Sequence, residues 1–117
     1  VTEHATAHRA GERYAACIDA CTDTHQVCVE SLAASAQLGG GHGKLLHLRL
    51  LQDCAEVCDL TRDMLLRSSD LAHQACRLAA DVNDRCATSC DQLGGEQMQR
   101  CAESCRRCRD VCASIAG

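Results

Sequence analysis

Cys101, Cys105, Cys108 and Cys112 stand four, three and four residues apart near the end of the chain. A helix turns once in about 3.6 residues, so this spacing sets all four sulfurs on one stripe. Arg100, Glu103, Arg106, Arg107, Arg109 and Asp110 lie between and around them and belong on a solvated face, which turns the cysteine side inward. A bundle helix normally carries leucine on such a stripe. A column of inward thiols can do two kinds of chemistry. It can pair into disulfides, or it can lose protons and bind soft metal ions.

The same pattern recurs upstream and defines the elements that position the sulfurs. From about Glu12, residues Tyr14, Cys17, Cys21, Thr24, Cys28, Ser31 and Ser35 alternate by three and four, so a first helix is expected up to the loop Gly39-Gly40-Gly41-His42-Gly43. A second helix, from about Lys44 to Arg67, carries His47, Leu51, Cys54, Cys58, Thr61 and Leu65 on its stripe. Ser68 and Ser69 offer an N-cap for a third, with Asp70 in its first turn. Its stripe is Cys76, Ala79, Asn83, Cys86 and Cys90, and it stops near Gly94-Gly95. The fourth, from about Glu96, carries Met98, the four cysteines and Ile115. Short loops between such helices predict an all-α fold, an antiparallel up-down-up-down four-helix bundle with a cysteine-lined interior. The chain is expected to be a single domain, residues 1–117, in which residues 1–10 form a flexible or extra N-terminal segment. His4 and His8, one turn apart there, read as part of a frayed terminus rather than a metal site.

All twelve cysteines fall on these stripes; random placement would put them on the two inner heptad positions less than about a third of the time. Composition points the same way. The chain has no proline, phenylalanine or tryptophan and one tyrosine, so sulfur takes the place of an aromatic core. Abundant Ala, Leu, Arg and Glu favour helix. Val29, Leu46, Leu48, Leu50, Val57, Leu66 and Leu78 fall off the stripes, a surplus that suggests a face for self-association. The net charge is −4 with signs interleaved, which argues against a nucleic-acid partner. No apolar run reaches the roughly 18 residues of a membrane span, and no secretory signal pattern is present. A cytoplasmic location is expected, with export the alternative if Val1 begins a processed mature form.

Three thiol chemistries compete. Disulfides suit small cysteine-dense scaffolds, but neighbours on one helix point their Cβ atoms nearly parallel and seldom reach S–S geometry. Zinc sites usually use a C-x2-C knuckle, and the only one here, Cys105 to Cys108, lies inside a helix. Four thiolates per Zn²⁺ also leave two uncompensated negative charges per site, which a narrow interior cannot repeat. Cu(I) balances one thiolate with one positive charge and favours sulfur. Multiple cuprous ions, about one per shared cysteine, would leave the interior neutral, which implies storage. Nothing marks an enzyme: no general base, nucleophile pair or phosphate loop stands out.

The C-x3-C repeats, in phrases such as YAACIDAC, DCAEVCD and CAESCRRCRDVC, resemble those of the bacterial four-helix-bundle copper storage proteins, from Tyr14 to Ala116. The resemblance implies a four-helix fold, Cu(I) binding, a homotetramer and no catalysis. The expected ligands are Cys17, Cys21, Cys28, Cys54, Cys58, Cys76, Cys86, Cys90, Cys101, Cys105, Cys108 and Cys112.

The chain departs from the fuller family pattern at Thr24, Ser31, Ser35, His47, Ala79, Asn83 and Met98, where sulfur would otherwise continue, so fewer ions are expected to fit. Antiparallel counting puts Ser31, Ser35, His47, Cys90 and Met98 near one end, and Tyr14, Leu65 and Ile115 near the other. One end reads as polar and one as plugged. His47, Cys90 and Met98 are therefore expected to form an uptake site, because imidazole and thioether are weaker, exchangeable Cu(I) ligands. His42 in the glycine loop stands close enough to assist, whereas His25 and His73 lie off the stripe and are expected to be exposed. The alternative function is a thiol-rich bundle of low metal capacity that handles zinc, acts in redox chemistry or serves as a structural interaction protein.

Overall fold

The computed structural model describes the backbone of residues 2–117 and the side chains of residues 11–117. Four helices follow one another: α1 (Thr2–Leu38), α2 (Leu45–Leu66), α3 (Ala72–Leu93) and α4 (Glu96–Ala116). The α2 and α4 bounds agree with expectation to within a residue. α1 begins at Thr2, not near Glu12; nothing between them is a proline or a strong stop, and Gly11 alone does not end the helix. The side chains of His4 and His8 lie outside the described residues.

Each helix packs on its two neighbours, in the ring α1–α2–α3–α4 and back to α1, while the backbones of the diagonal pairs stay apart and meet only through side chains at the centre. That is a square bundle about 20 Å across, and the molecule reaches 57 Å in length because the 37-residue α1 runs beyond its neighbours of 21 or 22 residues. Its centre is filled from four sides by the stripes. Every expected stripe residue is buried except Tyr14, which is half-buried at one end.

What lets short thiol side chains meet at the centre is a set of alanines beside the stripes. Ala20, Ala55, Ala75, Ala87 and Ala102 each adjoin a cysteine in sequence, and all are buried. A methyl group at the helix–helix seam permits close approach of the backbones, and a cysteine reaches only one atom beyond Cβ. Larger seam residues would hold the sulfurs apart.

The reversal between α2 and α3 differs from the sequence reading. Ser68 does not cap α3; it sits in the left-handed region with φ of 53° and closes α2. The Ser68 and Ser69 amides donate to the carbonyls of Leu65 and Met64, the paired bonds of a Schellman turn. Ser69 Oγ accepts from the Leu71 amide at 3.1 Å, and α3 starts at Ala72, beyond Asp70. Glycine is the usual residue at that left-handed position, so serine there hid the turn. At the other end the loop after α1 and the Gly94-Gly95 turn lie side by side, tied where His42 Nε2 donates to the Gly94 carbonyl at 3.2 Å.

Candidate metal centre

All twelve cysteines are fully buried and none is paired. α1 and α4 run antiparallel with their sulfurs in register: Cys17 and Cys112 lie 3.2 Å apart, Cys21 and Cys108 3.7 Å, and Cys28 and Cys101 3.9 Å. Within α4, Cys101 and Cys105 are 4.0 Å apart and Cys108 and Cys112 3.9 Å, as sulfurs one turn apart must be. The sulfurs of Cys28, Cys54, Cys86 and Cys105, one from each helix, all lie within 4.8 Å of one another. Three further groups meet the same limit: Cys17 with Cys21 and Cys112, Cys21 with Cys58 and Cys108, and Cys86 with Cys90 and Cys101. Sulfurs at these separations can share one ion between them, and Cys21 and Cys86 each belong to two groups.

Without metal most of these thiols stay protonated. Hydrogen bonds among neighbouring thiols, with burial behind them, push Cys21, Cys28, Cys54, Cys90 and Cys112 far above the ordinary thiol value. At Cys76 the bond with Cys112 pulls downward, but the bond with Cys17 and burial outweigh it, pushing the thiol up to about 12. Cys101 goes the other way: bonds from Cys105, Cys28, Cys86 and Cys90 favour its thiolate. A thiolate surrounded by S–H donors is a natural first ligand.

The polar stripe residues are all satisfied. Thr24 Oγ1 donates to the Ser104 carbonyl at 3.2 Å and lies 2.7 Å from Ser104 Oγ. Asn83 Nδ2 donates to the Ala79 carbonyl at 2.8 Å and faces Cys58 Sγ at 3.7 Å, while its Oδ1 accepts from Cys54 at 3.2 Å. Thr61 Oγ1 donates to the Ala75 carbonyl at 3.3 Å. Ser104 escaped the sequence reading, although its position beside Cys105 at the α4 seam is a usable signal.

The polar end is where antiparallel counting put it. Ser35 Oγ lies 3.2 Å from His47 Nε2 and 3.8 Å from Met98 Sδ, so the imidazole and the thioether share one partner. His47 Nδ1 lies 2.8 Å from Ser89 Oγ, and Gln97 Nε2 donates to Ser31 Oγ at 3.0 Å. Burial, with His42 nearby, lowers the His47 pKa and keeps its ring neutral, the form that binds metal. Cys90 groups with Cys86 and Cys101. Above Met98 an open cleft of about 310 Å³ runs along His42, Leu93 and the Gly94-Gly95 turn. At the opposite end Leu65 and Ile115 are buried, and Tyr14 Oη meets His73 Nε2 at 3.4 Å. His73 is exposed as expected, but His25 is half-buried: its Nδ1 lies 2.8 Å from the Ala55 carbonyl and 3.3 Å from Asp59.

Known proteins share this fold. A cysteine-rich protein of Bacillus subtilis, YhjQ, is 30% identical over 106 residues, covering 90% of this chain and 98% of its own. A crystal structure from Nitrosospira multiformis superposes with a TM-score of 0.86 at 34% identity, over 91% of this chain and 96% of the other. The Cu(I)-bound copper storage protein BsCsp3 does so with a TM-score of 0.85 at 28% identity, over 90% and 99% of the two chains. The profile of the copper storage protein family matches residues 4–117. With its buried thiols, its four-helix fold and a family match over nearly its whole length, the chain belongs to the copper storage proteins.

Proposed function

We infer that the protein stores or buffers Cu(I), holding several cuprous ions through cysteine thiolates inside the bundle. The observation that carries this reading is the run of overlapping buried sulfur groups along the tube. Each ion bound displaces a proton from a thiol and brings one positive charge, so the dry interior stays neutral however many ions enter. Zinc at the four-thiol group of Cys28, Cys54, Cys86 and Cys105 would leave two negative charges there, and filling the neighbouring groups would add more. The Cu(I)-bound relative with the same bundle supports the monovalent ion.

In this reading the twelve cysteines are the ligands, and His47 and Met98 are weaker ligands that pass ions inward past Cys90. Binding and release are the whole mechanism, with no catalysis. The exposed Leu45, Leu46, Leu66, Leu71 and Leu78 support self-association, for which a homotetramer is the family-like form. A reducing cytoplasm, which keeps such thiols free, is the fitting location. An anaerobic Cu(I) titration of reduced protein against a competing chelator tests the reading. It predicts saturation near one copper per cysteine; saturation at one or two ions, or preferential uptake of zinc, would overturn it.

A further inference from the structure

Building on that storage reading, we propose that the interior is two Cu(I)–thiolate sites in series, divided by a polar belt of Thr24, Asn83 and Ser104, rather than one continuous column. All but one of the thiol–thiol bonds stay on one side of the belt or the other, the exception being Cys54 with Cys58. Toward the plugged end they join Cys17 to Cys112 and Cys21 to Cys108 and Cys112, and Cys76 adds to this set through Cys17 and Cys112. Toward the mouth they join Cys101 to Cys28 and Cys105. The compact sulfur groups divide the same way: two contain only Cys17, Cys21, Cys58, Cys108 and Cys112, and two contain only Cys28, Cys54, Cys86, Cys90, Cys101 and Cys105. With Cys76 included, the twelve thiols split evenly, and every helix contributes to both halves.

The belt lies at the level where the sets part. On α1 Thr24 falls between Cys21 and Cys28, on α3 Asn83 falls between Cys76 and Cys86, and on α4 Ser104 precedes Cys105, the last sulfur of the mouth-side set. All three side chains spend their hydrogen bonds on backbone carbonyls, on each other or on thiols, which fixes them in place. A hydroxyl or amide is a poor ligand for a soft monovalent ion, so the belt adds distance without adding a site. Sulfurs adjoin across it at Cys54 and Cys58, one turn apart on α2, and Asn83 is bonded to both. Cys105 and Cys108, three residues apart on α4, flank the belt in the same way, so ions bound for the far set pass by one of these two steps. Each transfer breaks the S–H bond of the receiving thiol and the S–Cu bond of the donating one, forms S–Cu at the receiver and returns the proton to the donor; one proton per ion goes to solvent on entry, copper stays cuprous and no electron moves.

The test is stepwise anaerobic Cu(I) loading of the full chain, with ions per chain counted by native mass spectrometry and affinity read by chelator competition. The wild type should accumulate a distinct half-loaded population before full loading. Cys21→Ser with Cys108→Ser should abolish one step and leave the affinity of the mouth-side set within about threefold, the additivity expected of independent sites. Cys86→Ser with Cys101→Ser is the mirror experiment and stands in if the first variant fails to fold. Asn83→Cys should merge the two steps. A smooth progression with no half-loaded population, or a larger loss of affinity in the retained half, would overturn the two-site scheme while leaving storage intact. Wild-type saturation at one or two ions would overturn storage itself, and the two-site scheme with it.

Discussion

The two ends of the tube are built from different chemistry although the same four helices form both. At the mouth, Ser35, His47, Met98 and Ser89 make a chain of hydrogen bonds beneath two glycine loops latched by His42. At the other end Leu65 and Ile115 close over Cys17, Cys76 and Cys112, with Tyr14 against the Ser68–Asp70 turn. Polar groups with exchangeable partners can yield to a passing ion, while packed aliphatic groups cannot do so without opening a cavity. On the proposed uptake route, the difference gives the store a direction.

The largest expected effect is on the pH dependence of stability. The raised thiols of both sets, Cys76 and Cys112 toward the plugged end and Cys28, Cys54 and Cys90 toward the mouth, hold protons in the folded state that the unfolded chain would release, so their stabilisation is fully present below pH 9.0 and declines as pH rises through the folded values, Cys76 among them at about 12. His47 has the opposite sign: its depressed pKa contributes stability above pH 6.5 that is lost as pH falls. Denaturant melts of the apo protein should be flat between those limits and fall most steeply on the alkaline side, and copper loading should abolish the alkaline loss. An apo protein equally stable at pH 8 and pH 11 would refute this account.

Next in size is the plug. Leu65→Ala should cost about 2–5 kcal/mol, the range for a buried leucine, seen as a lower denaturation midpoint of the apo protein with copper capacity retained. At the mouth, His47→Gln with Met98→Leu nearly keeps volume and leaves a hydrogen-bonding group at position 47, losing only the weak Ser35–Met98 bond, and so should cost less than about 1.5 kcal/mol in stability. It should slow Cu(I) loading by about tenfold, or about 1.4 kcal/mol of barrier, in stopped-flow transfer from a chelator, with final capacity unchanged. Equal loading rates would remove His47 and Met98 from the uptake path. The smallest effect belongs to the outer surface. Arg107→Ala breaks the exposed 3.3 Å pair with Asp23 between α4 and α1 and should change stability by less than about 1 kcal/mol, with no change in copper binding.

The stripes were legible in the sequence because a three-four alternation leaves a helix one way to bury its cysteines, and glycine loops marked two of the three reversals. The mouth and the plug followed from antiparallel counting alone. Three features stayed hidden for physical reasons. The Ser68 turn places a non-glycine residue where the backbone favours glycine. The alanine seam is silent in a hydrophobic pattern, because alanine reads as helix former before it reads as spacer. The depth at which Cys17 meets Cys112, or Thr24 meets Ser104, depends on cross-helix register set by loop geometry and seam packing, so the division of the sulfurs appears only in three dimensions.

The most direct test of the central claim is a crystal structure of the protein loaded anaerobically with Cu(I), with copper located by anomalous scattering. The account predicts several copper peaks along the bundle axis, each between cysteine Sγ atoms of the groups described. Copper found on surface histidines or carboxylates, with the thiol interior unchanged, would contradict it.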